Sequence, residues 1–325
     1  MFYKKDEAKE AARSYFHGIW AAFHTPMTAD GEIDEAGIRV NVIRLVDEWG
    51  LAGIMCNGAV GEFWALTIEE QRRVIEVTAD AARGRCGVIA MTSSTSAREC
   101  IALTRFAEDV GVEFAAPFTP YFPKATEKGI ADWFKEVADS VDIGLWVIDT
   151  GLAGPHLSLD LTAELAKIPN VVGLKVQRGT DHFRAVQRVT GGSLVISDPH
   201  EASLLERVRE GQQVYMSSPA PVLMQRPGYT PIVDYFDAAE KGDWVQAEQI
   251  SASLEPLRRL YERYLSKEMF QGTIAVPLIK AWSARLGLAA GPVRPPMVEL
   301  SGHELEILHR ELESLESVLP PHGLG

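Results

Sequence analysis

Eight short apolar runs, each followed by a stretch of different period, set the tightest limit on how this chain can fold. The runs are GIWAAFH (18–24), GIMCNG (53–58), GVIAMTS (87–93), EFAAPFTP (113–120), IGLWVID (143–149), VVGLKVQ (171–177), SLVISD (193–198) and QVYMSSP (213–219). None alternates cleanly between apolar and polar residues, which is how a strand buried on both faces reads. The segments between them have helical period. After Asp34, residues Ile38, Val42, Leu45, Val46 and Trp49 share one face, and Thr67 with Glu70 three residues later forms a capping box. Strand then helix, repeated at spacings of about 30 residues, is the pattern of a (β/α)8 TIM barrel in the α/β class. A doubly wound open sheet needs fewer units, and its phosphate fingerprint G-x-G-x-x-G is missing after the first run.

The pattern divides the chain into an N-terminal helical extension (1–17), the barrel (18–242) and a C-terminal helical region (243–325) expected to pack on it. The strands stop near 243, and the loop at 289–296 must break helix because it holds three prolines and a glycine. With 32 Lys+Arg against 45 Asp+Glu, the net charge of −13 repels phosphate backbones and anionic lipid. Nucleic acid and membrane are therefore not expected as partners, and no apolar stretch approaches the roughly 20 residues of a membrane span. Three cysteines make no disulfide framework and no secretory signal is evident, so a reducing, cytoplasmic setting is expected. The eight histidines form no H-x-x-x-H pair, and no carboxylates cluster at metal spacing, so no metal and no cofactor are expected.

Chemistry in such a barrel sits where strands end. Lys175 lies among apolar residues in the sixth run. Desolvation lowers the pKa of a lysine there, and a neutral amine attacks carbonyls. The competing reading is an ion pair with a carboxylate such as Asp149 or Asp198. Gly58 and Gly61 permit a tight loop whose N–H groups suit a carboxylate, or merely a turn. Tyr121 and Phe122, between two prolines, would line a pocket, form a subunit contact or sit in the core. His24 and His200 follow strand ends as candidate acids or bases, or as structural histidines.

In order, these segments resemble the dihydrodipicolinate synthase / N-acetylneuraminate lyase family from about Gly18 to about Leu300. The family's G-x-x-G-E loop corresponds to Gly58, Ala59, Val60, Gly61 and Glu62. Its T-P-Y-Y stretch corresponds to Thr119, Pro120, Tyr121 and Phe122, and its G-[IL]-K strand to Gly173, Leu174 and Lys175. The resemblance implies a TIM barrel forming a homo-oligomer, dimer or tetramer, with Lys175 as Schiff-base nucleophile on pyruvate or another small 2-oxo acid. It places the substrate carboxylate on backbone N–H groups of Ala59 and Val60. The family's hydroxyl residues are replaced by Ala59, Val60 and Phe122. Its tyrosine after the fifth strand falls on Val147 or Ile148, and an arginine of the synthases has no counterpart in 152–156.

The hydratase-aldolase branch is the most similar in flavour, through residues 199–201, Ser217 with Ser218, and residues 290–296. An apolar pocket drawn from Phe63, Trp64, Phe122 and Trp146 would suit an aryl or alkyl substituent. Gly58, Ala59, Val60, Phe122 and Val147 are thus the expected substrate contacts, and His24, Asp149 and Tyr215 the candidate proton carriers. The expected activity is that of a class I aldolase or hydratase-aldolase. A 2-keto-3-deoxy sugar acid dehydratase, or a barrel that only binds a 2-oxo acid as a sensor, stands as the alternative.

Overall fold

The structure, a computed structural model, describes residues 2–151, 154–266 and 274–316. Residues 152–153 and 317–325, which the sequence reading placed in the loop after the fifth strand and in the C-terminal helical region, lie outside the described residues, as do 267–273.

All eight expected runs are strands: β1 (Gly18–Ala22), β2 (Gly53–Cys56), β3 (Gly87–Ala90), β4 (Phe114–Ala115), β5 (Gly144–Asp149), β6 (Val171–Val176), β7 (Val195–Ser197) and β8 (Val214–Ser217). Apart from Gly18, every strand residue is buried, which is why the runs lack polar alternation. The sheet runs β7-β6-β5-β4-β3-β2-β1-β8, so sequence order is spatial order except that β8 lies beside β1. This is a (β/α)8 TIM barrel with additional C-terminal helices.

The helices start where side-chain oxygens accept the orphan N–H groups of the first turn. Ser96, Thr126 and Ser158 do so for the helices Ala97–Asp109, Glu127–Asp139 and Leu159–Leu165. The expected capping box is present, Thr67 accepting from Glu70 N–H and Glu70 accepting from Thr67 N–H at 2.8 Å. Ile38, Val42, Leu45 and Trp49 are buried as the period required.

The chain forms two compact units, Met1–His17 with Gly87–Met216, and Gly18–Cys86 with Ser217–Gly325. In the first, the helix Ala8–Tyr15 and the residues just before it reach the C-terminal ends of three successive barrel helices. Lys5 Nζ donates to Ala138 O, Lys9 Nζ to Ala166 O and Arg13 to Gly192 O. These residues are four apart, so they share one stripe, and each cation meets the negative end of a helix dipole. Tyr3 Oη donates to Glu113 O at 2.6 Å and accepts from Gly144 N–H at 2.8 Å. Phe16 is fully buried against Phe114 and Trp146, with ring centroids 4.6 and 4.8 Å away. In β6, Gly173 is required by that same tryptophan, since a Cβ there would stand 2.5 Å from its ring.

In the second unit, Trp49 Nε1 donates to Val222 O at 3.1 Å. Arg294, in the proline-rich loop, grips both carboxylate oxygens of Glu70 at 2.8 and 2.7 Å. It also donates to Ala65 O and Gly31 O, so this loop ties down the start of the helix Ile68–Ala82. Among the described residues, no helix is long and apolar enough to cross a membrane.

Candidate active site

Parallel pairing decides which side chains share a face with Lys175, because residues opposite one another in a sheet point the same way. Lys175 pairs with Ile148 on β5 and with Ser197 on β7. Trp146, opposite Gly173, lies on that face one pair earlier. Val147 pairs with Leu174 and Asp149 with Val176, so both turn to the other face. Val147, an expected substrate contact, therefore turns away from Lys175, and of the two residues at the family's tyrosine position it is Ile148 that shares the lysine's face.

Lys175 is 9% exposed, and burial alone pushes its ammonium down to about 8. Among the described residues its Nζ has no hydrogen bond or ion pair. The two carboxylates that would have made it a structural lysine are committed elsewhere. Asp198 Oδ1 takes His200 Nδ1–H at 2.7 Å and His200 N–H at 3.0 Å, and its Oδ2 takes buried Arg207 Nε–H at 3.1 Å. Burial pushes Asp198 up, but the bonds and charges of His200 and Arg207 outweigh it and hold the carboxyl below its ordinary range. Asp149 Oδ1 takes His156 Nδ1–H at 2.8 Å and Leu157 N–H at 3.3 Å, while its Oδ2 lies 3.7 Å from both Arg178 and His182.

The proposed proton carriers fare poorly for stated reasons. Asp149 is 1% exposed, on the face away from Lys175 and ringed by these groups. Tyr215 is fully buried and its hydroxyl donates to Pro199 O at 3.1 Å. His24 is fully buried and its Nε2 is 2.8 Å from Ala289 O, so that nitrogen must carry the proton. Asn41 brackets the same residue, donating to Ala289 O and accepting from Ala289 N–H. His24 is thus a tie for the proline-rich loop, and burial lowers its pKa to about 4. Between about pH 6.5 and pH 4 the unfolded chain binds a proton that the folded chain refuses, so stability falls as pH falls through that window. We expect urea midpoints to drop from pH 7 to pH 4 by more in the wild type than in His24→Gln, which keeps a donor for Ala289. An equal acid sensitivity of the two would remove His24 as the cause.

Phe122 is another correction. It is 72% exposed, so it is no wall of a pocket within this chain. Trp146 is fully buried against Gly173 and Phe16, beneath Lys175 rather than beside it. In the second unit, the loop at 57–63 is a built turn. Asn57 and Glu62 take left-handed conformations, and Gly58 O accepts from Gly61 N–H at 3.0 Å. Thr25 donates to Gly61 O and Trp64 to Ala59 O. Among the described residues no partner takes the N–H of Ala59 or Val60, which suits a carboxylate. Glu62 is fully buried with Oε1 2.6 Å from Lys280 Nζ, and that lysine also donates to Pro292 O. Burial raises the Glu62 pKa and lowers that of Lys280, each against the pull of its partner.

The sequence reading missed His156, Arg178 and His182, which gather around Asp149. It followed the residues at strand ends, and His156 lies seven positions past Asp149, in a loop that folds back.

The family model of the dihydrodipicolinate synthetase family matches residues 15–315. The chain belongs to this family. The 4-hydroxy-tetrahydrodipicolinate synthase of Methanoculleus marisnigri is 33% identical over 313 residues, covering 95% of this chain and all of that protein. The synthase of the same name from Methanospirillum hungatei is 32% identical, over 91% of this chain and 98% of that one. Among solved structures, dihydrodipicolinate synthase from Aquifex aeolicus aligns with a TM-score of 0.81 and 27% identity, covering 94% and 100% of the two chains. The Acinetobacter baumannii synthase, solved with pyruvate, gives 0.80 at 26% identity over 93% and 99%. The protein is therefore an enzyme, a class I aldolase-type lyase that uses a lysine Schiff base.

Proposed function

We propose that Lys175 is the Schiff-base nucleophile of this lyase, and that its substrate is a 2-oxo acid, such as pyruvate or a pyruvate adduct, with an apolar substituent. The observation that carries this is a buried lysine without a counter-ion, flanked by two aspartates that are already paired. Its nitrogen, with a pKa near 8, is partly neutral at physiological pH and attacks the C2 carbonyl. The resulting imine is an electron sink for breaking or forming a bond at the neighbouring carbons. Gly58, Ala59 and Val60 keep the role of an anion-binding turn.

The apolar substituent is supported by Ile148, an aliphatic side chain that stands opposite Lys175. A polyhydroxylated tail would leave hydroxyls unpaired at about 1–3 kcal/mol each.

Incubation with pyruvate and borohydride is expected to add mass to the peptide holding Lys175. The same trapping across a panel of 2-oxo acids ranks substrates. We expect kcat/KM for an aryl-substituted 2-oxo acid to exceed that for a 2-keto-3-deoxy sugar acid of similar size. A tenfold preference for the sugar acid, about 1.4 kcal/mol in transition-state binding, would reject the apolar assignment and favour the dehydratase.

A further inference from the structure

Two residues of the turn that would take the substrate carboxylate hold a backbone conformation that glycine adopts most readily. Asn57 has φ 56° and Glu62 has φ 59°, and they bracket Ala59 and Val60. Asparagine tolerates this left-handed region, whereas it is uncommon for glutamate. Such a conformation persists only where the surroundings over-determine it.

Here two buried polar side chains do so, one at each end of the turn. Asn57 is 0% exposed, and its Nδ2 donates to Gln71 O at 2.9 Å, which ties the start of the turn to the helix Ile68–Ala82. Glu62 is equally enclosed and meets Lys280 Nζ at 2.6 Å, on the helix Val276–Arg285. Lys280 is itself buried, and its bond to Pro292 O at 2.7 Å fixes it against the proline-rich loop. Arg294 of that loop donates to Ala65 O at 3.0 Å, and Ala65 N–H donates to Glu62 O at 2.7 Å. The end of the turn is thus held from the C-terminal helical region twice, through side chain and through backbone.

Between the two anchors, Val60 is 1% exposed, yet among the described residues no partner takes its N–H. A buried donor without an acceptor is costly, and a carboxylate oxygen would satisfy it. Apolar residues of similar volume often stabilise a core as well as a buried ion pair does. What they do not supply is a bond that pins Glu62 in the left-handed region.

We propose that Lys280, through Glu62, is a positioning residue of this lyase: it sets the turn so that the N–H groups of Ala59 and Val60 are aimed at the substrate carboxylate. The proposal rests on the readings of that turn as the anion site and of Lys175 as nucleophile. It gives the C-terminal helical region a part in substrate affinity.

The test is the initial rate of cyanoborohydride trapping, read by mass, against the concentration of pyruvate and, separately, of the uncharged pyruvamide. Both probes carry the carbonyl that Lys175 attacks, and only pyruvate carries the charge that the turn would hold. Lys280→Met is expected to raise the half-saturating pyruvate concentration about tenfold or more. Its rate at saturation, and its half-saturation by pyruvamide, should stay within about threefold of wild type. Glu62→Gln with Lys280→Met removes the buried charge along with the pair. This double variant should unfold at a urea midpoint near that of wild type and still show the raised half-saturation for pyruvate alone. Half-saturation by pyruvate within about threefold of wild type in the double variant overturns the proposal. So does an equal rise for pyruvamide, which marks a general loss of structure. A wild type that does not distinguish the two probes overturns the reading of the turn, and one that traps neither overturns the reading of Lys175; the role of Lys280 falls with either.

Discussion

Replacing Lys175 with methionine is expected to abolish the trapped adduct and to lower kcat/KM by more than about ten-thousandfold, because the proposed covalent step runs through its amine. The same variant is expected to be more stable than wild type. In the folded chain burial lowers this lysine to about 8 from the ordinary 10.5. Between those two pH values the unfolded chain holds the extra proton, so stability rises with pH across the window, and below about pH 8 the cost of the buried charge is fully present. At 1.36 kcal/mol per pK unit that cost is about 3 kcal/mol. Methionine fills a similar volume without a charge. Urea unfolding at pH 7 and pH 9.5 checks this: the gain should be largest at pH 7 and shrink towards high pH. A variant less stable than wild type at pH 7, or one that still turns over substrate, contradicts the account.

The second large effect concerns the buried pair under the 57–63 loop. Lys280→Met leaves the Glu62 carboxylate at zero exposure without its cation. Breaking a buried pair from one side typically costs about 3–5 kcal/mol, and we expect a loss of that size in denaturant unfolding. The double variant Glu62→Gln with Lys280→Met should recover most of it, since the uncompensated charge is then gone. A single variant within 1 kcal/mol of wild type, by the same scale, would mean that Glu62 is carried in its neutral form.

The strands were legible because burial on both faces leaves an unbroken apolar run, and the helices because Thr67, Ser96, Thr126 and Ser158 each stand one residue before an amphipathic stretch. Lys175 was legible as the charge such a run should not contain. The face of each strand residue was not. A shift of one position exchanges the two faces, and only the pairing of Ile148 with Lys175 separates it from Val147. Burial of single aromatics was equally hidden: Trp146 and Phe122 look alike in sequence, yet one is enclosed and the other 72% exposed. Return loops were the deepest gap. The contacts of His156 with Asp149 and of Lys280 with Glu62 depend on where a loop comes back, which no local spacing encodes.

The N-terminal segment has a consequence for how the chain is made. Residues 3, 5, 9 and 13 bind carbonyls of residues 113, 138, 166 and 192, so each successive contact lies further downstream. During synthesis these residues leave the ribosome before any of their partners, and they find them in the order of translation. Contacts this distant in sequence are slow to form. Until Phe114 and Trp146 have emerged, the aromatic face of Phe2, Tyr3, Tyr15 and Phe16 lacks the rings on which it packs. The segment that secures the unit once it is built is therefore the stretch most open to a chaperone or a protease while the chain is still growing.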